Sequence, residues 1–218
     1  MTRSIPLAQP EPPTDCCLCP RLVAFRADNR AAQPDWYNGP VHSFGDTDAA
    51  RLLIVGLAPG LKGANRTARP FTGDYAGDLL YATLGKFDLA VGAYAARADD
   101  GLRLSGTMIT NAVRCVPPAN KPTGGEIAAC RRFLTARINS LATLRVIIAL
   151  GRIAHDSTLA ALDLRRAAFP FAHGARHEVR DGLTLIDSYH CSRYNTNTGR
   201  LTPEMFEAVF EGACRLIG

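Results

Sequence analysis

Four short apolar runs recur along the chain: "LLIV" at 52–55, "MIT" at 108–110, "VIIAL" at 146–150 and "LTLI" at 183–186. Each stops at a glycine or a polar residue, and each is followed by a stretch of helical spacing. Runs this short without polar alternation read as strands buried on both faces. Strands that alternate with helices pair in parallel through right-handed crossovers, with helices above and below. The expected fold is therefore α/β, a three-layer α/β/α sandwich on a central, mainly parallel four-stranded sheet. A chain of 218 residues fits one compact domain. That domain is expected over 15–218, behind a mobile Pro-rich leader at 1–14 that holds four prolines and little to bury.

Ligands of such sheets bind at the carboxyl ends of the strands. Gly56, Asn111 and His190 all fall just past those ends, so three distant segments are expected to line one crevice. The first of them opens "GLAPGLKGANRTARPFTGDYAG", residues 56–77, with five glycines, two prolines and three cations. Glycines let backbone amides approach a ligand, and prolines stiffen the path between them. The spacing fits neither the Walker A loop nor the Gly-x-Gly-x-x-Gly dinucleotide turn. The stretch reads either as a binding loop of another kind or as a glycine-rich turn with no ligand. Asn65, Arg66, Arg69, Phe71 and Asp74 within it favour the former.

Seven cysteines, an odd number, in a chain with no secretory signal argue for metal ligation or free thiols over disulfides, and for a cytoplasmic location. Cys16 and Cys19 form a two-thiolate knuckle, but Cys115 and Cys130 have fourteen residues between them. Structural zinc commonly joins two short knuckles, whereas iron–sulfur clusters accept dispersed thiolates. The four therefore favour a [4Fe–4S] centre over zinc, against the alternative that Cys130 is a small buried residue of its helix. No apolar run approaches the length of a membrane span. The net charge of +5, almost all of it arginine, suits phosphate contacts. His190, beside the polar, turn-rich "CSRYNTNTG", is a better catalytic candidate than His155 or His173.

Taken in order, "CCLCPRLVAFR", "GLAPGLKGANRTARPFTGD", "TNAVRC" and "YHCSRYNTNTGRLTPEM" resemble the uracil-DNA glycosylase superfamily. The likeness is to its family 5, the type B enzymes with an iron–sulfur cluster, and runs from about Cys16 to the C-terminal helix. Family 4 carries Gly-Glu-Ala-Pro-Gly where this chain has Gly56-Leu57-Ala58-Pro59-Gly60. The resemblance implies [4Fe–4S] ligands at Cys16, Cys19, Cys115 and Cys130. It implies that Phe71 stacks on an extruded base, that Asn111 reads the base's polar edge, and that Asp74 and His190 are catalytic. Leu57, Ala58, Pro59 and Gly60 are expected to bring backbone amides against that base. Arg69, Ser192, Arg193, Tyr194 and Asn195 are expected to meet DNA.

Two residues depart from the family pattern. Leu57 is apolar where other glycosylase families keep a water-activating residue, and Cys191 stands where the family has proline. The implied activity is monofunctional: flip uracil, and other deaminated bases such as hypoxanthine or xanthine, out of single- or double-stranded DNA and remove it hydrolytically, initiating base excision repair. The expected enzyme is a monomer that does not engage membranes. The competing reading is a non-catalytic iron–sulfur or zinc nucleic-acid binder on the same fold, which would bind DNA in a salt-sensitive way without making abasic product.

Overall fold

A computed structural model describes residues 9–218. Its main sheet has six strands: β1 (Phe44–Gly45), β2 (Leu52–Gly56), β5 (Thr107–Asn111), β6 (Val146–Leu150), β7 (Arg176–Arg180) and β8 (Leu183–Ser188), in the order β1-β5-β2-β6-β8-β7. The inner four, β5-β2-β6-β8, are parallel and are the four apolar runs of the sequence. β1 and β7 add antiparallel edges. A separate hairpin pairs β3 (Ala90–Val91) with β4 (Arg103–Leu104). The expected four strands thus become six. The edges were hidden because β1 is two residues long and β7, "RHEVR", buries only Val179 among charged neighbours.

Alternate residues of each inner strand enter opposite cores. Leu52, Ile54, Val146, Ile148 and Ile186 face one cluster with Leu80 and Leu84 of α3 (Tyr75–Lys86) and Phe206 and Phe210 of α7 (Pro203–Ile217). Leu53, Val55, Ile147, Ala149 and Leu185 face the other, with Leu134 and Ile138 of α4 (Gly124–Ser140) and Ala154 and Leu159 of α5 (Arg152–Ala161). Helices α3, α4 and α7 start where their sequence caps them. Asp74 accepts from the Gly77 N–H, Thr123 and Glu126 form a reciprocal box, and Thr202 precedes Pro203. Among the described residues no helix is long and apolar enough to cross a membrane.

The chain leaves β2 towards α3 on one face and leaves β5 towards α4 on the other. In the order β5-β2-β6-β8 the strand order reverses at β2, so the switch point of the sheet lies at the carboxyl end of β2, where open α/β folds bind ligands. Pairing continues beyond the strands, since Ala112 N–H donates to Gly56 O and Val113 N–H to Leu57 O, both at 2.9 Å.

The expectation of a mobile leader needs correction where it can be seen. Residues 1–8 lie outside the described residues, but residues 9–14 are held against the body. Pro12 is buried and its carbonyl lies 2.8 Å from His42 Nε2. The Glu11 carboxylate joins two buried guanidiniums, Arg114 at 2.7 Å and Arg137 of α4. Arg114 is 1% exposed, so a partner is obligatory there. Burial alone pushes the Glu11 carboxyl up, but Arg114 and Arg137 outweigh it and bring it below the usual value. Its contribution to stability is thus complete above an ordinary Glu pKa of about 4.3 and is lost as the pH falls through the lower folded value. Glu11→Ala is expected to cost about 3 kcal/mol at pH 7, roughly 6–12 °C in melting temperature, and less in acid. Thermal melts at several pH values check both statements.

Candidate active site

A cleft of about 300 Å³ opens at the switch point. Its walls include Leu57, Ala58, Pro59 and Gly60 after β2, Phe71 and Asp74 before α3, Asn111 at the end of β5, and His190 two residues past β8. Ser192 and Arg193 close one side. The structure thus brings together every residue expected to bind or transform a base. It also adds three that the sequence reading passed over, Tyr75, Ala76 and Asn120. Asn120 carried a signal, because "PPAN" is a turn; Ala119 and Asn120 both take the left-handed conformation there, at φ 54° and 55°.

Close approach explains the glycines. A Cβ on Gly56 would sit 2.5 Å from Phe71 Cζ and would collide with Asn111 Oδ1. On Gly60 it would stand 2.8 Å from Asp74 Oδ2, and on Gly63 it would collide with the same oxygen. These side chains reach the cleft because the loop carries none of its own at those points.

Phe71 is buried with φ 53°, a conformation that costs a bulky residue about 1–3 kcal/mol. Its surroundings enforce it. Thr67 Oγ1 donates to Thr72 O at 3.0 Å, Tyr94 OH to Phe71 O at 3.4 Å, and Tyr81 OH to Pro70 O at 2.7 Å. The Phe71 ring stacks towards His190, with centroids 6.0 Å apart and planes inclined by 29°. Strain held at a cleft wall is a mark of a preorganised site.

Arg69 has a different role from the one expected. It is 3% exposed and forks onto Asp100 with two bonds of 2.7 Å, while its Nε donates to Thr72 Oγ1 at 2.7 Å. Its guanidinium lies over the rings of Phe44, Tyr81 and Tyr94 at 5.1, 5.2 and 5.7 Å. Each of the three guanidinium nitrogens is bonded inside the protein, so Arg69 braces the loop and does not reach phosphate. Asn195 is also committed, its Nδ2 donating to His190 O at 2.8 Å. Ser192 caps α6 (Arg193–Asn197), accepting from the Asn195 N–H. Arg193 and Tyr194 stand at the surface, Tyr194 73% exposed.

The two titratable groups of the cleft are shifted in opposite directions. Burial raises the Asp74 carboxyl above its ordinary pKa of 3.8, opposed by the N–H groups of Gly77 and Ala76. Burial lowers His190 to about 4, so its imidazole is neutral at physiological pH. Asn111 is 2% exposed, and its Oδ1 has no hydrogen-bond partner among the described residues. Such a bare acceptor costs about 1–3 kcal/mol unless a ligand meets it. Cys191, in the family's proline position, is buried, and its thiol donates to Ala76 O at 3.5 Å, tying the His190 segment to the start of α3.

A second locus lies behind the cleft. Cys16, Cys19, Cys115 and Cys130 line one small cavity of about 10 Å³ with Leu22, Val113 and Phe133. Cys19 precedes α1 (Pro20–Ala32) at its N-cap, and Cys130 faces inward from α4. Two sulfurs accept hydrogen bonds, Cys130 from the Arg114 N–H at 3.3 Å and Cys115 from Arg26 Nη1 at 3.6 Å. Burial pushes Cys130 up to about 12 and Cys19 and Cys115 to about 11. Cys17, Cys191 and Cys214 take no part in the cavity lining.

Residues 42–213 match the family model described as the uracil DNA glycosylase superfamily. The chain is 49% identical over 211 residues to a type-5 uracil-DNA glycosylase of Thermus thermophilus, covering 94% of this chain and 95% of that one. It is 41% identical over 212 residues to a type-5 enzyme of Mycobacterium bovis, covering 93% and 78%. A type-4 uracil-DNA glycosylase of Thermotoga maritima is 38% identical over 143 residues, 65% of each chain.

The His190 value can be read directly. Ring signals in an NMR titration should remain those of a neutral imidazole at pH 5.5 and move near pH 4; movement near the ordinary 6.5 would contradict the burial. Because the folded value is lowered, the associated stability is complete above about 6.5 and falls away towards pH 4.

Proposed function

Because the chain belongs to the uracil-DNA glycosylase superfamily, we propose that its cleft receives uracil swung out of DNA and that Asp74 and His190 carry the hydrolysis freeing it. The observation that carries this reading is a meeting of complementary groups in one crevice: a carboxylate, a neutral imidazole, an aromatic ring and an amide with a bare buried oxygen. As a DNA N-glycosylase, the enzyme breaks the C1′–N1 bond, which leaves positive charge on the sugar and negative charge on the departing base.

Each wall has a task in that step. Asn111 Oδ1 is an acceptor and uracil's edge offers an imide N–H, so the pairing satisfies both; cytosine presents an acceptor at the same point. Phe71 supplies the stacking face. The neutral His190 donates an N–H to the base oxygen on which negative charge develops, the electrostatic role of an oxyanion hole, with backbone amides of residues 57–60 beside it. Asp74, ionised, stabilises the sugar cation and takes the proton of the water that attacks C1′. Leu57 contributes no polar group, so this work falls to Asp74. Extrusion itself costs a few kcal/mol, least for a mispaired base. We assign Arg193 to phosphate and the exposed ring of Tyr194 to the gap left in the stack. With an apolar Leu57 and no side chain on Gly60, the cleft also suits hypoxanthine and xanthine.

The four cysteines fit an iron–sulfur cluster on the chemistry of the donor set: four thiols from three segments round one apolar cavity, with N–H groups aimed at two of the sulfurs. We assign them a [4Fe–4S] cluster. Bound there, it supplies covalent ties between the N-terminal segment and the 115–130 loop, a structural role.

Purified protein incubated with an oligonucleotide bearing one uracil should generate an abasic site cleavable by alkali. Asp74→Asn should lower the single-turnover rate by about a hundredfold or more, and His190→Ala by about a hundred- to a thousandfold. The acid limb of the rate should lie above pH 3.8, since Asp74 is raised. Intact oligonucleotide, with salt-sensitive binding alone, would support the non-catalytic reading. Matched oligonucleotides carrying hypoxanthine or xanthine settle the wider base range. The protein should be brown with broad visible absorbance, and Cys130→Ser should lose the colour; a colourless protein carrying zinc would overturn the cluster assignment.

A further inference from the structure

Three side chains that the proposed reaction does not use meet on the α5 side of the sheet near its outer edge. His155 comes from the first turn of α5, His177 from β7 and Asp187 from β8. One ligand atom of each lies within 4.8 Å of the others. The side chains of His155 and Asp187 are 1% and 0% exposed, and that of His177 is 13% exposed.

The proton on His155 can be placed by chemistry. Its Nε2 lies 2.9 Å from Phe169 O, and a carbonyl only accepts, so Nε2 carries the hydrogen. Its Nδ1 faces Asp187 Oδ1 at 2.7 Å. Asp187 Oδ2 and His177 Nε2 face each other at 3.5 Å, and neither has a hydrogen bond among the described residues. A doubly protonated His155 would satisfy both of its own contacts but would leave that second pair bare. A cation between the three satisfies every atom. The pattern, with the outer imidazole nitrogen donating to a backbone carbonyl and the inner one turned to a carboxylate and a second imidazole, is that of a metal-ligating histidine.

We propose that His155 Nδ1, His177 Nε2 and the Asp187 carboxylate form a site for one zinc-class divalent cation. Two imidazoles and one carboxylate suit such ions rather than magnesium or calcium, which prefer all-oxygen shells. Solvent completes the shell from the His177 side, the exposed one. The cation joins α5, β7 and β8 three residues before His190, on the strand that delivers the imidazole to the cleft. It acts as a clamp rather than in the reaction, and the site stands whether or not the glycosylase reading does.

The test uses the protein with its cysteine site loaded as isolated, titrated with Co²⁺ in place of Zn²⁺. One Co²⁺ per chain should bind with visible d–d bands and without thiolate charge-transfer absorbance. His177→Ala, at the most exposed of the three positions, should weaken binding by about a hundredfold, and His155→Gln should do the same. Crystals soaked in zinc should show an anomalous peak between the three side chains. Charge-transfer bands alone, equal affinity in wild type and both variants, or no peak at the triad would each overturn the proposal.

Discussion

The cleft depends on a parallel pairing that does not stop where the strands do. β2 and β5 run in register from Leu52 opposite Thr107 to Gly56 opposite Asn111, and two further hydrogen bonds carry the alignment on to Leu57 and Val113. This places the first residues of the glycine-rich loop beside the Asn111 amide. Gly56 is a point of close approach, because the Asn111 oxygen and the Phe71 ring both occupy the space a Cβ would take. A short backbone segment thereby sets the distance between the Phe71 ring and the Asn111 amide.

Around that junction, buried ion pairs hold loops that hydrophobic packing alone would leave soft. Arg69 and Asp100 link the base loop to the segment after β3, and Glu11 draws Arg114 and Arg137 together under the N-terminal segment. Such pairs are weak sources of net stability but strong determinants of geometry, since neither partner tolerates the loss of the other. The cysteine cavity lies next to the second network, the N–H of Arg114 meeting Cys130 while its guanidinium meets Glu11. Cleft, cavity and ion pairs thus form one connected support for a site that must keep its shape while DNA deforms.

The inner sheet and its flanking helices were legible because strands buried on both faces leave unbroken apolar runs and helix caps leave Ser, Thr and Asp signals. β7 left no such trace: only one of its five residues is fully buried, and only the Asp181–Gly182 turn before β8 hinted at a hairpin. Arg69 was misread for a related reason. A cation in a polar loop suggests solvent, and its partner Asp100 lies 31 residues away with no local pattern to announce it. Asn111 and His190 were legible because strand ends in this topology converge, whereas Asp74, at the N-cap of α3, was singled out by the family resemblance. The His155, His177 and Asp187 group was not, since its spacing follows no ligand motif and only the folded sheet brings it together.

Gly56 sets the geometry on which base excision depends, and Gly56→Ala tests this most directly. The variant should fold with its visible absorbance intact, while its single-turnover excision of uracil falls by about a hundredfold because Phe71 and Asn111 are displaced. Wild-type excision by folded Gly56→Ala protein would contradict it.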